Sequence, residues 1–159
     1  MRFGVGFFYM LAGSMLAADP AGFALWKANE LAQHDQALAG KLQPDHSARE
    51  TLGEYANHRV RLIYRVGESE PELHDKIVDI WVVQSGEGTL VLGGELLDRK
   101  ASAGDGEWRG SRIRGGERHP IRAGDIVRIP AGMPHGVIVP EGKHITYVNM
   151  RLNAAEAGR

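Results

Sequence analysis

The chain has 159 residues, 43% of them apolar and 7% aromatic, with a formal net charge of −1. That length fits one domain with a substantial core. The interspersed acids and bases show neither the basic stripe of a nucleic-acid binder nor an acidic tail for a cationic partner. Cysteine is absent, which excludes disulfides, thiolate metal sites, a cysteine nucleophile and a lipid-modified cysteine. The 21 glycines punctuate short apolar runs, as in an all-β barrel with many tight turns.

Residues 1–18 place one basic residue, Arg2, ahead of an apolar run that ends in small side chains. This is the layout of a secretory signal peptide, with cleavage near Ala17-Ala18, and it predicts a periplasmic or secreted protein. The alternatives are a buried N-terminal segment or a misplaced start. The run is short for a membrane span, which needs about 20 residues, so no membrane partner is expected. From Ala28 to Leu42 the apolar positions Ala28, Leu31, Leu38 and Leu42 fall at helical spacing, interrupted by Asp35 and weakened at Gly40. This predicts one amphipathic helix outside the barrel, with His34 on its solvated side. Lys41 to Arg49 reads as a linker. The expected organisation is signal peptide 1–18, helix and lead-in 19–57, barrel 58–151 and tail 152–159.

Arg59 to Val66 alternates, with Val60, Leu62, Tyr64 and Val66 on one face and Arg59, Arg61 and Arg65 on the other; Ile63 breaks the pattern. This is the period of a half-buried strand. Its arginines have two readings, recognition of an anionic ligand or a solvated outer face, and the second is adopted. Thr89 to Leu92 is a strand that stops at Gly93-Gly94. Asp98 to Arg118 is polar and Gly-rich and reads as an inserted loop or hairpin beside the barrel mouth, where loops carry specificity. Within it Trp108 and Arg109 read as loop anchors in preference to substrate contacts.

The most informative stretch is Gly124 to His135. Ile126 to Ile129 is a β-branched strand, Pro130 ends its hydrogen-bond ladder, and Gly132 can reverse the chain with positive φ. His135 follows on the returning strand, aimed by a rigid turn as a preorganised metal site requires. Val137 to Val139 continues that strand, and Ile145 to Arg151 closes the sheet. Tyr147 and Asn149 share one parity, and one such set should face the cavity.

The spacing G-x5-P-x-G-x2-H at Gly124, Pro130, Gly132 and His135 resembles the second motif of the cupins, with Val139 where that motif has Asn. The first cupin motif, H-x-H-x3–4-E-x6-G, is matched upstream by Glu72, His74, Asp79 and Gly86. Two of its three ligand positions have become carboxylates. The resemblance spans about residues 58–151. With Glu72-x-His74 and the Gly-Gly-Glu turns, the chain looks like one of a group of small bacterial cupins with signal peptides.

The resemblance implies an all-β fold, the double-stranded β-helix or jelly-roll barrel, with a metal in its mouth held by Glu72, His74, Asp79 and His135. The spacing agrees. Residues two apart on a strand face the same way, which pairs Glu72 with His74 and puts Trp81 below Asp79. Trp81 and Tyr147 are expected to line the pocket. Imidazoles and hard oxygen donors suit Mn²⁺, Fe²⁺ or Zn²⁺. Three functions follow. The first is a metal-dependent enzyme, of oxygenase, isomerase, decarboxylase or lyase type, on a small organic molecule, with Glu72 as ligand or base. The second is a non-enzymatic module for a metal or small ligand. The third is a structural homodimer with a vestigial site. A small-molecule ligand and a homodimer are the expected partners, the dimer by resemblance alone.

Overall fold

The computed structural model describes residues 19–154, so the expected signal peptide at 1–18 and the end of the tail lie outside the described residues. One helix and twelve strands follow in chain order among them. Helix α1 is Ala28–Ala39. It stops short of the expected Leu42 because Gly40 follows and Lys41 N–H turns back to the Leu38 carbonyl. The strands are β1 Ser47–Glu54, β2 His58–Arg65, β3 Glu72–His74, β4 Ile77–Leu92, β5 Glu95–Leu97 and β6 Lys100–Ala101. They continue as β7 Glu107–Arg109, β8 Arg112–Arg114, β9 Glu117–Arg122, β10 Ile126–Ile129, β11 His135–Ile138 and β12 Ile145–Asn153. The sheet therefore begins at Ser47, inside the expected linker and lead-in, because Ser47 to Glu54 pairs antiparallel with β2.

The main sheet runs β1-β2-β12-β4-β11-β3-β7-β6, with β9 and β10 also on β4, and β5-β8 form a separate ribbon. Strand β4 joins the two halves of the barrel. Up to Gly86 it pairs with β10 and β12; beyond Gly86 it pairs with β9 and β11. Gly86 has φ +72°, and a Cβ there would lie 1.9 Å from the His144 carbonyl oxygen. Only glycine allows both the positive φ and this approach. Inside the barrel, Ile63, Trp81, Val83, Leu90, Ile129 and Tyr147 belong to one apolar cluster drawn from both halves. The expected all-β jelly roll with a helix outside is what forms.

A second cluster lies on the outer face of the sheet. Leu38 and Leu31 of α1 pack there on Ala48, Leu62, Tyr64 and Val148. Asp35, which interrupts the helix's apolar stripe, accepts hydrogen bonds from Ser85 Oγ at 2.6 Å and Thr146 Oγ1 at 2.5 Å, fastening the helix to β4 and β12. His34 meets Glu50 at 2.7 Å and is partly exposed.

This outer core corrects the reading of β2. The apolar residues Leu62 and Tyr64 face the helix, so the opposite face, which carries Arg59, Arg61, Ile63 and Arg65, points into the barrel. Alternation gave the two faces correctly and their direction wrongly, because α1 covers the side that a half-buried strand would leave to water. Ile63, the exception to the pattern, belongs to the inner core.

Candidate functional site

The turn between β10 and β11 sets the geometry of the site. Gly132 takes φ +75°, and its N–H donates to the His74 carbonyl at 2.7 Å. The two motif segments are thus bonded together beside their histidines. Further along, His135 sits opposite Glu72 in the β3–β11 register. Asp79 enters from β4, between β10 and β12.

The four side chains meet in the barrel mouth. Nε2 of His74 and Nε2 of His135 each lie 3.4 Å from Asp79 Oδ2, and His74 Nε2 lies 3.6 Å from Glu72 Oε2. Donor atoms of Glu72, His74 and His135 all fall within 4.8 Å of one another. His74, Asp79 and His135 are only 3–4% exposed, while Glu72 is half-buried. Donors about 2.0–2.2 Å from one tetrahedral ion are about 3.3–3.6 Å apart, and the three contacts among Glu72, His74, Asp79 and His135 have that spacing. Buried Asp79 Oδ1 lies 3.5 Å from Arg151 Nε but accepts no hydrogen bond.

The tautomers also fit. His135 Nδ1 lies 3.0 Å from the Met133 carbonyl, which can only accept, so Nδ1 carries a proton and, when the ring is neutral, Nε2 presents its lone pair. His74 Nδ1 has two neighbours, Glu107 Oε2 at 2.9 Å and Arg151 Nη2 at 2.9 Å. Arg151 Nη2 is itself held by both Glu107 oxygens at 2.7 and 2.8 Å. This pair offers His74 Nδ1 either an acceptor or a donor. With the proton on Nδ1 and bonded to Glu107, Nε2 is free to ligate, the carboxylate–histidine arrangement that orients metal-bound imidazoles.

Without a metal, the same groups bond to each other. Burial opposes ionisation of Asp79, but the hydrogen bonds from His135 and His74 outweigh it and hold the carboxyl well below the usual carboxylate range. Burial likewise disfavours a charged His135, and the Asp79 carboxylate more than offsets this and raises its pKa above the ordinary imidazole value.

The site opens into a cavity of about 290 Å³. Trp81 and Tyr147 are among its lining residues, stacked with ring centroids 4.5 Å apart, and Trp81 meets His135 edge-on at 5.9 Å. Burial pushes the Tyr147 phenol up, against the opposing pull of Arg65. Trp108 is an anchor: its indole N–H donates to Asp75 Oδ2 at 2.8 Å, and the Arg99 guanidinium lies 3.8 Å over its ring. Arg109 does more than anchor the loop, since Nη2 lies 2.9 Å from Glu72 Oε1.

The sequence reading missed Glu107, Arg151 and the inward arginines of β2. Arg151 was within reach, because it continues the parity of Tyr147 and Asn149. Glu107 carries no local signal. The insert brings it in as β7, where it sits opposite His74.

No protein-family model matches the chain, and no curated protein matches it. Solved structures do. A double-stranded β-helix protein from Klebsiella pneumoniae is 19% identical with a TM-score of 0.54, over 84% of this chain and 92% of that one. A cupin-2 conserved-barrel protein from Salinispora arenicola is 20% identical with a TM-score of 0.50, over 73% and 84%. A predicted oxalate decarboxylase from Thermotoga maritima is 14% identical with a TM-score of 0.50, over 67% and 80%. The chain has the double-stranded β-helix fold of the cupins.

Proposed function

We propose that Glu72, His74, Asp79 and His135 hold one divalent metal ion and that the protein is a metal-dependent enzyme acting on a small organic molecule. The observation that carries this reading is the convergence of two imidazole Nε2 atoms on Asp79 Oδ2, each at 3.4 Å, with an acceptor at each Nδ1. The donor set is two nitrogens and hard oxygens, which suits Mn²⁺, Fe²⁺ or Zn²⁺. Such an ion supplies Lewis acidity towards an oxygen of the ligand.

The remaining roles belong to the chain itself. Glu107 orients His74, and the Met133 carbonyl orients His135. Arg109 holds Oε1 of Glu72, which leaves Oε2 facing the centre as a ligand or as the proton acceptor for a substrate C–H or O–H. The Trp81–Tyr147 stack forms an apolar wall against which a small substrate packs. Export and a homodimer complete the reading, the first supported by the pattern of residues 3–16 and the second by the resemblance alone.

The test is metal content after loading and desalting. Wild type should retain about one divalent ion per chain, and His74→Ala and His135→Ala should retain none while staying folded. A wild type that binds no divalent ion, or a His135→Ala variant at full occupancy, removes the proposal.

A further inference from the structure

We propose that the cavity takes a small organic anion, whose carboxylate or phosphate group is held by Arg59 and Arg61 on the inner face of β2. The proposal deepens the reading of the previous subsection, and rests on it only for where the reactive end of the ligand lies.

Charge balance in the cavity carries the inference. Arg49, Arg59, Arg61, Arg65, Arg109 and Arg151 line it against four carboxylates, those of Glu70, Glu72, Asp79 and Glu107. The carboxylates are already matched. Arg109 meets Glu70 at 3.1 Å and Glu72 at 2.9 Å; Arg151 meets Glu107 at 2.7 Å and Asp79 at 3.5 Å. Arg49 is held by Asp45. What remains is β2. Arg59 has only a distant partner, Glu54 at 3.9 Å, on a largely exposed side chain. Arg61 makes no ion pair among the described residues, and its Nε, like those of Arg59, Arg65 and Arg151, is buried with no hydrogen-bond partner; Arg65 differs in donating to the Asp45 carbonyl at 3.4 Å.

Arg59 and Arg61 are half-buried, and partly desolvated guanidinium groups without a close counter-charge make a cavity that attracts anions. The planar guanidinium fork matches a carboxylate or phosphate oxygen pair. Burial, followed by the neighbouring Arg59, Arg151 and Arg49, pushes the Arg61 pKa below its ordinary value. Arg61 stays protonated nonetheless, as guanidinium groups do in proteins, so the repulsion is relieved by an anion and not by losing a proton.

Position supports the same assignment. Arg59 lies opposite Arg151, which lies opposite Asp79; Arg61 lies opposite Asn149, which lies opposite Trp81. The arginines are therefore two strand spacings from the metal-ligand candidates, about 10 Å at the backbone. Side chains from both sides narrow that gap. The volume of about 290 Å³ is at the small end for ligand pockets, so the anion has only a few carbon atoms. Buried Asn149 Oδ1 and Trp81 Nε1, both without partners, are placed to meet its middle.

The experiment is calorimetric titration of the full chain with malonate, succinate, inorganic phosphate and the neutral control succinamide. It is run with added metal and with chelator, and metal content is measured in parallel. At least one anion should bind and succinamide should not; binding should weaken as salt rises. Carboxylate binding without phosphate, or the reverse, identifies the oxyanion. Arg61→Gln should weaken binding about ten- to a hundredfold, with Arg61→Lys intermediate and metal content unchanged. Without ligand, Arg61→Gln should melt no lower than wild type, because it removes a half-buried charge that has no ion-pair partner among the described residues. Arg59→Gln is the second variant if Arg61→Gln does not fold. Anion binding in wild type without bound metal sustains this proposal while removing the metal centre. Succinamide binding as well as succinate, no binding by any anion, or full anion affinity in a folded Arg61→Gln or Arg59→Gln overturns it.

Discussion

The two ends of the cavity differ in how their charges are arranged. At the histidine end each charged group has an internal partner, and the partners come from the strands alongside: Glu107 opposite His74, Arg109 opposite Glu72, Arg151 opposite Asp79. At the β2 end the guanidinium groups line up on one strand, and among the described residues neither Arg59 nor Arg61 pairs with a carboxylate of the cavity. The first arrangement fixes side chains before anything binds, as ligation geometry requires. The second stores unfavourable charge that only a ligand relieves. Preorganisation and recognition are divided between the two halves of one cavity, and they respond to different perturbations.

The strongest perturbation removes both ends together. Gly86→Val puts a branched side chain at φ +72° against the His144 carbonyl. Positive φ alone costs a β-branched residue about 1–3 kcal/mol, and the clash must add backbone displacement where β4 passes from one half of the barrel to the other. Thermal unfolding should show a Tm lower by many degrees, with metal and anion binding lost in proportion to the unfolded fraction. A Gly86→Val protein with wild-type Tm would show that β4 does not need this close approach.

A smaller change separates the ends. Glu107→Gln removes the carboxylate that holds His74 Nδ1 and Arg151, and leaves the β2 side chains themselves in place. Loss of such an orienting partner weakens metal binding about ten- to a hundredfold. Competitive titration against a chelating dye should show that loss, and anion titration of the metal-free protein should be no weaker than wild type, because the Arg151 charge freed by the change faces the same cavity. Equal losses in both assays would mean that the ends are not independent.

The weakest effect is on pH dependence, and it sharpens the contrast because arginines do not titrate in the accessible range. In metal-free protein the Asp79 pKa is depressed, so its stabilising contribution is present above the unfolded carboxylate value and is lost as pH falls through the native one. The His135 pKa is raised, so its contribution is present below the unfolded imidazole value and is lost as pH rises through the native one. Metal-free Tm should therefore peak between the carboxylate and imidazole ranges. Metal ligands must be deprotonated, so the stabilisation gained from added metal should instead grow as pH rises through the imidazole range. A melting series with and without chelator reads both slopes; the same slope in both would contradict the shared use of Asp79 and His135.

The parts of the site legible in the sequence were those fixed by local chemistry. Pro130, Gly132 and His135 specify their turn within a few residues, and Glu72, His74 and Asp79 lie on strand segments whose parity is set by their immediate neighbours. The direction of β2 was not local. It depends on α1, more than twenty residues upstream, whose Leu38 buries the outer face at Leu62. Asp35 looked like a flaw in the helix stripe and proved to be its fastening to Ser85 and Thr146. Glu107 could not be read at all, because its meeting with His74 depends on how an inserted hairpin docks on β3.

X-ray absorption at the metal edge of the loaded wild-type protein tests the central claim most directly. The expected result is a first shell of nitrogen and oxygen at about 2.0–2.2 Å with no sulfur, and outer-shell scattering from two imidazoles that disappears in His74→Ala and His135→Ala. A bound ion with no imidazole scattering, or no specifically bound ion in the loaded protein, would contradict the account.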